Sequence, residues 1–279
     1  MLLEFLNEYY EAELETIHDE AGNMHLQGRS RRFERQLFVK IFKEKDKFYA
    51  EQHVNQVYCP EIYLDSVIYE DNYIVVLEDR VLEDVLSAEV DAKSVTSFGQ
   101  KLAAFHEKVS GKVLVPSDER PLSERLATKV ARFEKTPYQT DVTEVFTRLQ
   151  KDLAAADIDY ALLPKVVLHG DFSIRNLMHH ADELVLIDFE RASLGVAYED
   201  LIKFFYNEVK EPKLRNNFLH GYRQIKELEI PNYSLQRCLL FLCALDILEF
   251  HLTHTKQKFG QMAEAMFQTI KNEDAILAL

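Results

Sequence analysis

Apolar and polar residues alternate over residues 14–42 and again over residues 62–80, the period of two that marks half-buried β-strands. The first group reads LETIH, MHLQ and QLFVKIF; the second reads IYLDSVIYE and NYIVVLEDR, with polar turns between them. RSRRFER, between MHLQ and QLFVKIF, reads as a charged hairpin turn. DKFYAEQHVNQVY separates the two groups and carries a helical period, with Phe48, Gln52 and Asn55 about a turn apart and Tyr49 facing inward. From about residue 82 the pattern is helical. SVTSFGQKLAAFHEKVSG opens on an N-capping Ser, carries the stripe Phe98, Leu102 and Phe105, and ends on Gly. Residues 121–163 continue as helix with a break near Pro137. VVL (Val166–Leu168) and LVLID (Leu184–Asp188) read as two short strands flanking a loop, and the chain then returns to helix. No repeat or low-complexity linker interrupts this order. Strands first and helices afterwards predict an α+β protein, with a small sheet lobe over residues 1–80 and a larger helical lobe over 81–279, joined near Glu78–Leu82.

Composition narrows the classes. With 279 residues, 47% of them hydrophobic, the chain is long enough for a sizeable core. Acids outnumber bases 47 to 33, a net charge of −14 that argues against non-specific binding to nucleic acid. Cys59, Cys238 and Cys243 have neither metal-ligand spacing nor the even count of a disulfide framework. The apolar run CLLFLCALDILEF is too short to span a bilayer and contains Asp246. The start, MLLEFLNEYYEAELE, lacks the basic region of a signal peptide. A cytoplasmic protein with no membrane or nucleic-acid partner is expected; monomer and dimer both stay open.

Candidate chemistry concentrates in VVLHGDFSIRNLMHHADELVLIDFE. The loop holds Asp171 and, five residues later, Asn176, while Asp188 lies at the exposed end of the second strand. Two carboxylates and an amide converging on one point offer hard oxygen ligands, the set that suits Mg²⁺. A carboxylate left off the metal can accept a proton from an attacking hydroxyl, the division of labour phosphoryl transfer needs. A transition-metal site from His169, Asp171, His179 and His180 is the competing reading, but these histidines lack the spacing of a metal helix. HGD also occurs in metallophosphoesterases, whose further Asp, Asn and His blocks are not evident here. His179 and His180 read as a solvated turn.

HGDFSIRN followed by IDFERA resembles the catalytic loop and metal-binding segment of the aminoglycoside phosphotransferase and choline kinase superfamily, which shares the protein-kinase fold. The resemblance implies a bilobal protein-kinase-like fold whose small N-terminal sheet is antiparallel. It implies Asp171 as catalytic base and Asn176 and Asp188 as Mg²⁺ ligands. Lys40 looks like the strand lysine that holds the nucleotide phosphates, and Glu51 like its helix partner; a charge inside the apolar strand QLFVKIF is costly unless paired. Gly22 and Asn23 would form the turn over the phosphates, and the backbone of Glu78, Asp79 and Arg80 would bind adenine. Asp200 would anchor its helix to the catalytic loop, and LAAFHEKVSG and FLHGY would be scaffold. The implied reaction is ATP- and Mg²⁺-dependent phosphorylation of a small-molecule hydroxyl, with GTP not excluded.

The chain departs from the family pattern in places. The phosphate loop offers only Gly22 and Gly28, Phe189-Glu190 follows Asp188, and Ser173 stands where protein kinases place a lysine two residues after the catalytic Asp. No A-P-E segment is present. These departures favour a small-molecule acceptor over a protein. Glu190, Glu199, Glu208, Glu211, Asp246 and Glu249, with Phe204, Phe205, Tyr206, Phe250 and His251 among them, suit a cationic acceptor such as an aminoglycoside or choline-like amine; a neutral sugar or amino-alcohol is the next reading. A non-catalytic nucleotide-binding or regulatory module and a protein Ser/Thr kinase are the remaining alternatives.

Overall fold

A computed structural model describes residues 1–20, 23–86, 90–254, 256–274 and 276–277. Its sheet follows the alternation closely. Strands β1 (Ala12–Glu20), β2 (Asn23–Ser30), β3 (Arg35–Phe42), β4 (Tyr63–Tyr69) and β5 (Asn72–Glu78) pair antiparallel in the order β1-β2-β3-β5-β4. In the central strand β3, Leu37, Val39 and Ile41 are buried with Leu26, Ile74 and Val76 in one cluster. Phe42 joins a separate cluster with Phe48, Val75 and Leu77. Lys40 shares its parity with Phe42, so the period of two sends it to that second face, where α2 (Lys45–Tyr58) packs. On α2 the buried residues are Phe48, Ala50, Glu51, Val54 and Asn55; Tyr49 is half-buried on the flank, stacked on His53, rather than turned inward.

One helix has no counterpart in the sequence reading. The chain begins with α1 (Leu2–Tyr9), and Leu6 and Tyr10, a turn apart, are fully buried against the sheet face that α2 leaves open.

The helical part comprises α3 (Ala92–Val109), α4 (Leu122–Ala131), α5 (Gln139–Leu149), α6 (Leu153–Leu162), α7 (Glu199–Asn207), α8 (Pro212–Arg223), α9 (Tyr233–His254) and α10 (Gln257–Lys271). The N-cap of α3 is Asp91, whose carboxylate accepts from the N–H groups of Lys93 and Ser94. Ser94, the expected cap, instead returns a hydroxyl to the Asp91 N–H as the other half of a capping box. The carboxylate starts the helix three residues earlier than the serine would. Helix α9 is buried almost all round and forms the centre of the helical core; among the described residues no helix is long and apolar enough to cross a membrane.

Helices α3 and α8 touch backbone to backbone. A Cβ on Gly99 would lie 2.1 Å from the Phe218 carbonyl oxygen, and one on Gly221 would lie 2.0 Å from that of Thr96. Each helix contributes the glycine that lets the other approach.

Short strands hold the loop segment. VVL lies in β7 (Lys165–Leu168) and the LVL of LVLID in β9 (Glu183–Leu186), which ends two residues before Asp188; the two strands are not partners. β7 pairs with β10 (Ser193–Val196), whereas β9 pairs with β8 (Leu177–His180), which also pairs with β6 (Glu83–Asp84). His179 and His180, expected in a turn, are strand residues of β8; the reversal follows them at Ala181, whose φ is +53°.

Candidate functional site

Lys40 lies at the junction of sheet and helices. Its ammonium is buried and donates to Glu51 Oε1 at 2.9 Å and to Asp188 Oδ1 at 2.7 Å. Glu51 also accepts from Asn55 Nδ2 at 3.2 Å and, through Oε2, from the Phe189 N–H at 2.7 Å. Three donors converge on one buried side chain, an arrangement that suits a carboxylate. Burial alone would pull Lys40 down; Glu51 and then Asp188 hold it above its ordinary value, so it stays charged. Burial likewise works to raise Asp188, but Lys40 prevails and brings its carboxyl to about 2. Asp188 adopts φ +70°, the left-handed region that Asp tolerates better than most residues. The N–H of Ile187 donates to the Asn176 carbonyl at 3.0 Å, which draws Asn176 and the Asp188 segment together.

The loop after β7 is held from behind. Asp200, in the first turn of α7, accepts the His169 N–H at 2.7 Å and the Gly170 N–H at 2.9 Å, and takes His106 Nε2 at 3.0 Å. His106 receives the Tyr222 hydroxyl on Nδ1 at 2.7 Å, so α3, α7 and α8 converge on two backbone amides of the loop. His169 donates from Nε2 to the Ile187 carbonyl at 2.9 Å and accepts the Asp171 N–H on Nδ1 at 3.3 Å; burial holds it below its ordinary value, in keeping with a neutral ring. Gly170 has φ +77°, and a Cβ there would meet the Arg191 carbonyl oxygen at 2.0 Å. Asn176 Nδ2 closes the loop by donating to the Asp171 carbonyl at 2.9 Å.

The Asp171 carboxylate faces two cations, Lys203 at Oδ1 and Arg175 at Oδ2. Burial would raise this carboxyl, yet Lys203 and then Arg175 keep it below the usual carboxylate range. Neither cation was singled out from the sequence. Glu208, read there as part of an acidic acceptor wall, instead accepts the Ile174 N–H at 2.6 Å and so holds the short 3₁₀ turn Ile174–Asn176. The one available signal was spacing: Lys203 lies three residues beyond Asp200, on the same helical face.

Of the expected nucleotide-binding residues, Lys40 and Glu51 are brought to Asp188. Gly22 lies outside the described residues; Asn23 opens β2 and pairs with Glu20. At the end of β5 the expectation narrows. The Glu78 N–H donates to the Ile62 carbonyl at 2.7 Å and the Asp79 N–H to the Gln36 carbonyl at 2.9 Å, so these two donors are engaged within the sheet lobe. Their side chains are engaged as well, Glu78 with Arg35 and Arg80, Asp79 with Gln27.

A cavity of about 850 Å³ opens beside Asp171, lined among others by Arg175, Glu190, Arg191 and Lys203 and by Lys129, Asp246, Phe250 and Phe259. Its acids were expected to form a cation-seeking wall. Most are already paired: Asp246 with Lys129, Glu249 with Arg132 at 2.8 Å, and Glu199 with the Tyr160 hydroxyl at 2.8 Å and the Val196 N–H at 2.9 Å. Phe204 and Phe205 are wholly buried in the core, whereas Phe250 reaches the cavity. The wall is of mixed charge.

The donor chemistry fits a divalent cation. Asn176 and Asp188 supply an amide and an ionised carboxylate, hard ligands that leave positions for phosphate oxygens and water. Among the described residues no group of three or more His, Cys, Asp or Glu side chains forms a self-sufficient metal cage.

Residues 28–233 match the family model described as the phosphotransferase enzyme family. The chain belongs to this family. No curated protein matches it. Solved structures similar to this phosphotransferase include an amicoumacin kinase in complex with AMP-PNP, Ca²⁺ and its ligand, at 14% identity, a TM-score of 0.68, and coverage of 99% of this chain and 95% of the other. An aminoglycoside phosphotransferase in a ternary complex with ADP and hygromycin B follows at 13% identity, a TM-score of 0.65 and 97% coverage of both chains. A choline/ethanolamine kinase family protein from Mesorhizobium loti has 13% identity, a TM-score of 0.62 and coverage of 98% and 95%. At these identities the likeness is one of fold: an antiparallel sheet followed by a helical region in the protein-kinase-like arrangement.

Proposed function

We propose that this phosphotransferase moves the terminal phosphoryl group of ATP to a hydroxyl of a small molecule, in the cytoplasm and with Mg²⁺. The observation that carries the reading is the buried Lys40 bonded to both Glu51 and Asp188, with Asp171 on the wall of an adjoining 850 Å³ cavity. Residues 1–80 would grip the nucleotide, Lys40 holding phosphate oxygens and Glu51 fixing the lysine, while Arg80 offers the adenine a backbone group. Residues 81–279 would bind the acceptor and carry the chemistry. Asn176 and Asp188 would hold the cation, which when bound neutralises phosphate charge. Asp171 would orient the acceptor hydroxyl and take its proton as the bond to phosphorus forms. Positioning and charge complementarity would supply most of the acceleration.

Amine-bearing acceptors are the first to try, because Glu190 and Asp246 line the cavity and because proteins of this fold include one solved with hygromycin B and an ethanolamine kinase. The mixed wall makes neutral polyhydroxylated acceptors the necessary second set. The test measures acceptor-dependent ADP release over aminoglycosides, choline, ethanolamine and neutral sugars, with and without Mg²⁺. Turnover that needs both Mg²⁺ and one acceptor, and that Asp171→Asn removes, supports the reading. Full turnover by Asp171→Asn would overturn the assignment of the base.

A further inference from the structure

The geometry points to Lys203 as a catalytic residue, an ammonium that contacts the transferred phosphoryl group while holding Asp171 in place. The inference rests on the phosphotransferase reading and adds to it a group outside the loop and metal segments.

Four observations support it. Lys203 donates to Asp171 Oδ1 and lines the cavity, with its side chain 27% exposed. Arg175, on the other carboxylate oxygen, also lines the cavity but is 66% exposed and comes from the same loop four residues on, so it is the less firmly held of the two cations. The position two residues after Asp171 is Ser173, whose Oγ is buried and bonded to nothing among the protein atoms, so the loop itself supplies no cation there. Finally, α7 is locked to the loop by the two amides that Asp200 accepts, and Lys203 lies one turn further along the same face. That register fixes where the ammonium arrives.

The chemistry then follows from adjacency. The acceptor hydroxyl must be within hydrogen-bond reach of Asp171 and in line with the phosphorus. A group on the cavity side of Asp171 is therefore beside the equatorial oxygens of the transferring phosphoryl. An ammonium has three donors; one is engaged by Asp171, and the others suit those oxygens. During transfer the bond from phosphorus to the leaving diphosphate breaks, the bond to the acceptor oxygen forms, and the hydroxyl proton passes to Asp171. Lys203 keeps its own proton throughout and acts by charge alone.

The experiment reads phosphoryl contact without requiring an acceptor. Wild type, Lys203→Met, Lys203→Gln and Lys203→Arg are titrated with ADP and Mg²⁺, alone and with aluminium fluoride as a mimic of the transferring phosphoryl, and thermal melts report folding. Lys203→Met and Lys203→Gln should bind ADP within about twofold of wild type but the fluoride complex about 100-fold more weakly, the scale expected for one lost transition-state donor. Lys203→Arg should recover part of the loss. With an acceptor in hand, the same variants should lose kcat with little change in KM for ATP. If Lys203→Met or Lys203→Gln folds and binds both complexes as wild type does, Lys203 is a structural ion-pair residue and the inference falls alone. If the wild-type chain binds neither complex, the nucleotide reading falls and takes this inference with it.

Discussion

Two buried ion clusters flank the cleft with opposite stoichiometry. At the sheet side one cation, Lys40, is shared by two carboxylates, Glu51 and Asp188. At the helical side one carboxylate, Asp171, is shared by two cations, Lys203 and Arg175. The first has an excess of negative charge and suits a divalent cation; the second has an excess of positive charge and suits a phosphoryl group. Under the proposed function, a nucleotide with its metal would bridge two fields poised in opposite directions, so that little rearrangement would be needed as charge moves between them. In each cluster the shared ion is buried and its two partners come from separate elements; Glu51 is as buried as Lys40, whereas Asp188, Lys203 and Arg175 are partly open.

Removing the shared ion from each cluster should produce opposite signatures. Asp171→Asn leaves the carbonyl scaffold intact but cannot take the hydroxyl proton, so kcat should fall by about 10³-fold or more while ADP affinity is kept. Steady-state kinetics beside an ADP titration decide it, and a fall in both together would mean the two clusters are not separable. Lys40→Met strands Glu51 as a buried carboxylate, a change of the kind that costs about 3–5 kcal/mol of stability. A urea melt should show that loss, and nucleotide binding should weaken with it. An unchanged melt would place Lys40 in a wetter setting than its burial indicates.

A smaller effect sharpens the contrast. Glu208→Gln weakens the acceptor for the Ile174 N–H, which holds the turn carrying Arg175, and for the neighbouring Asn207 amide. It should cost about 1 kcal/mol of stability and lower kcat modestly, since Arg175 is the more exposed of the two partners. A kcat loss as large as that of Asp171→Asn would make Arg175 the dominant cation instead of Lys203.

The sheet-side cluster was legible because its residues break a pattern. Lys40 interrupts an apolar strand, and Asp188 ends another. Lys203 was not legible, because EDLIKFFYN reads as an ordinary amphipathic helix in which a lysine belongs on the wet face. Only the anchoring of Asp200 turns that face toward Asp171. The partnership of β7 with β10 escaped for a related reason: strands of four residues carry too little pattern to name a partner, and tertiary contacts choose it. Helix α1 was hidden by its place at the start of the chain, where the acidic residues were read for targeting rather than for the Leu6–Tyr10 spacing. The acidic cavity wall misled because composition counts charges without their partners, and Lys129 and Arg132 on α4 and the turn after it supply those partners.

The contact between α3 and α8 has a consequence for what this chain tolerates by way of variation. Where side chains mediate a helix contact, a larger residue can be traded against a smaller one opposite it. Here Gly99 and Gly221 each meet a carbonyl oxygen directly, so no opposing side chain exists to shrink in compensation. A single methyl at either position must push one whole helix along the other, and the helices carry His106 and Tyr222, whose bond would stretch with them. The seam between α3 and α8 is therefore closed even to a single methyl, whereas contacts made through side chains keep room for paired changes.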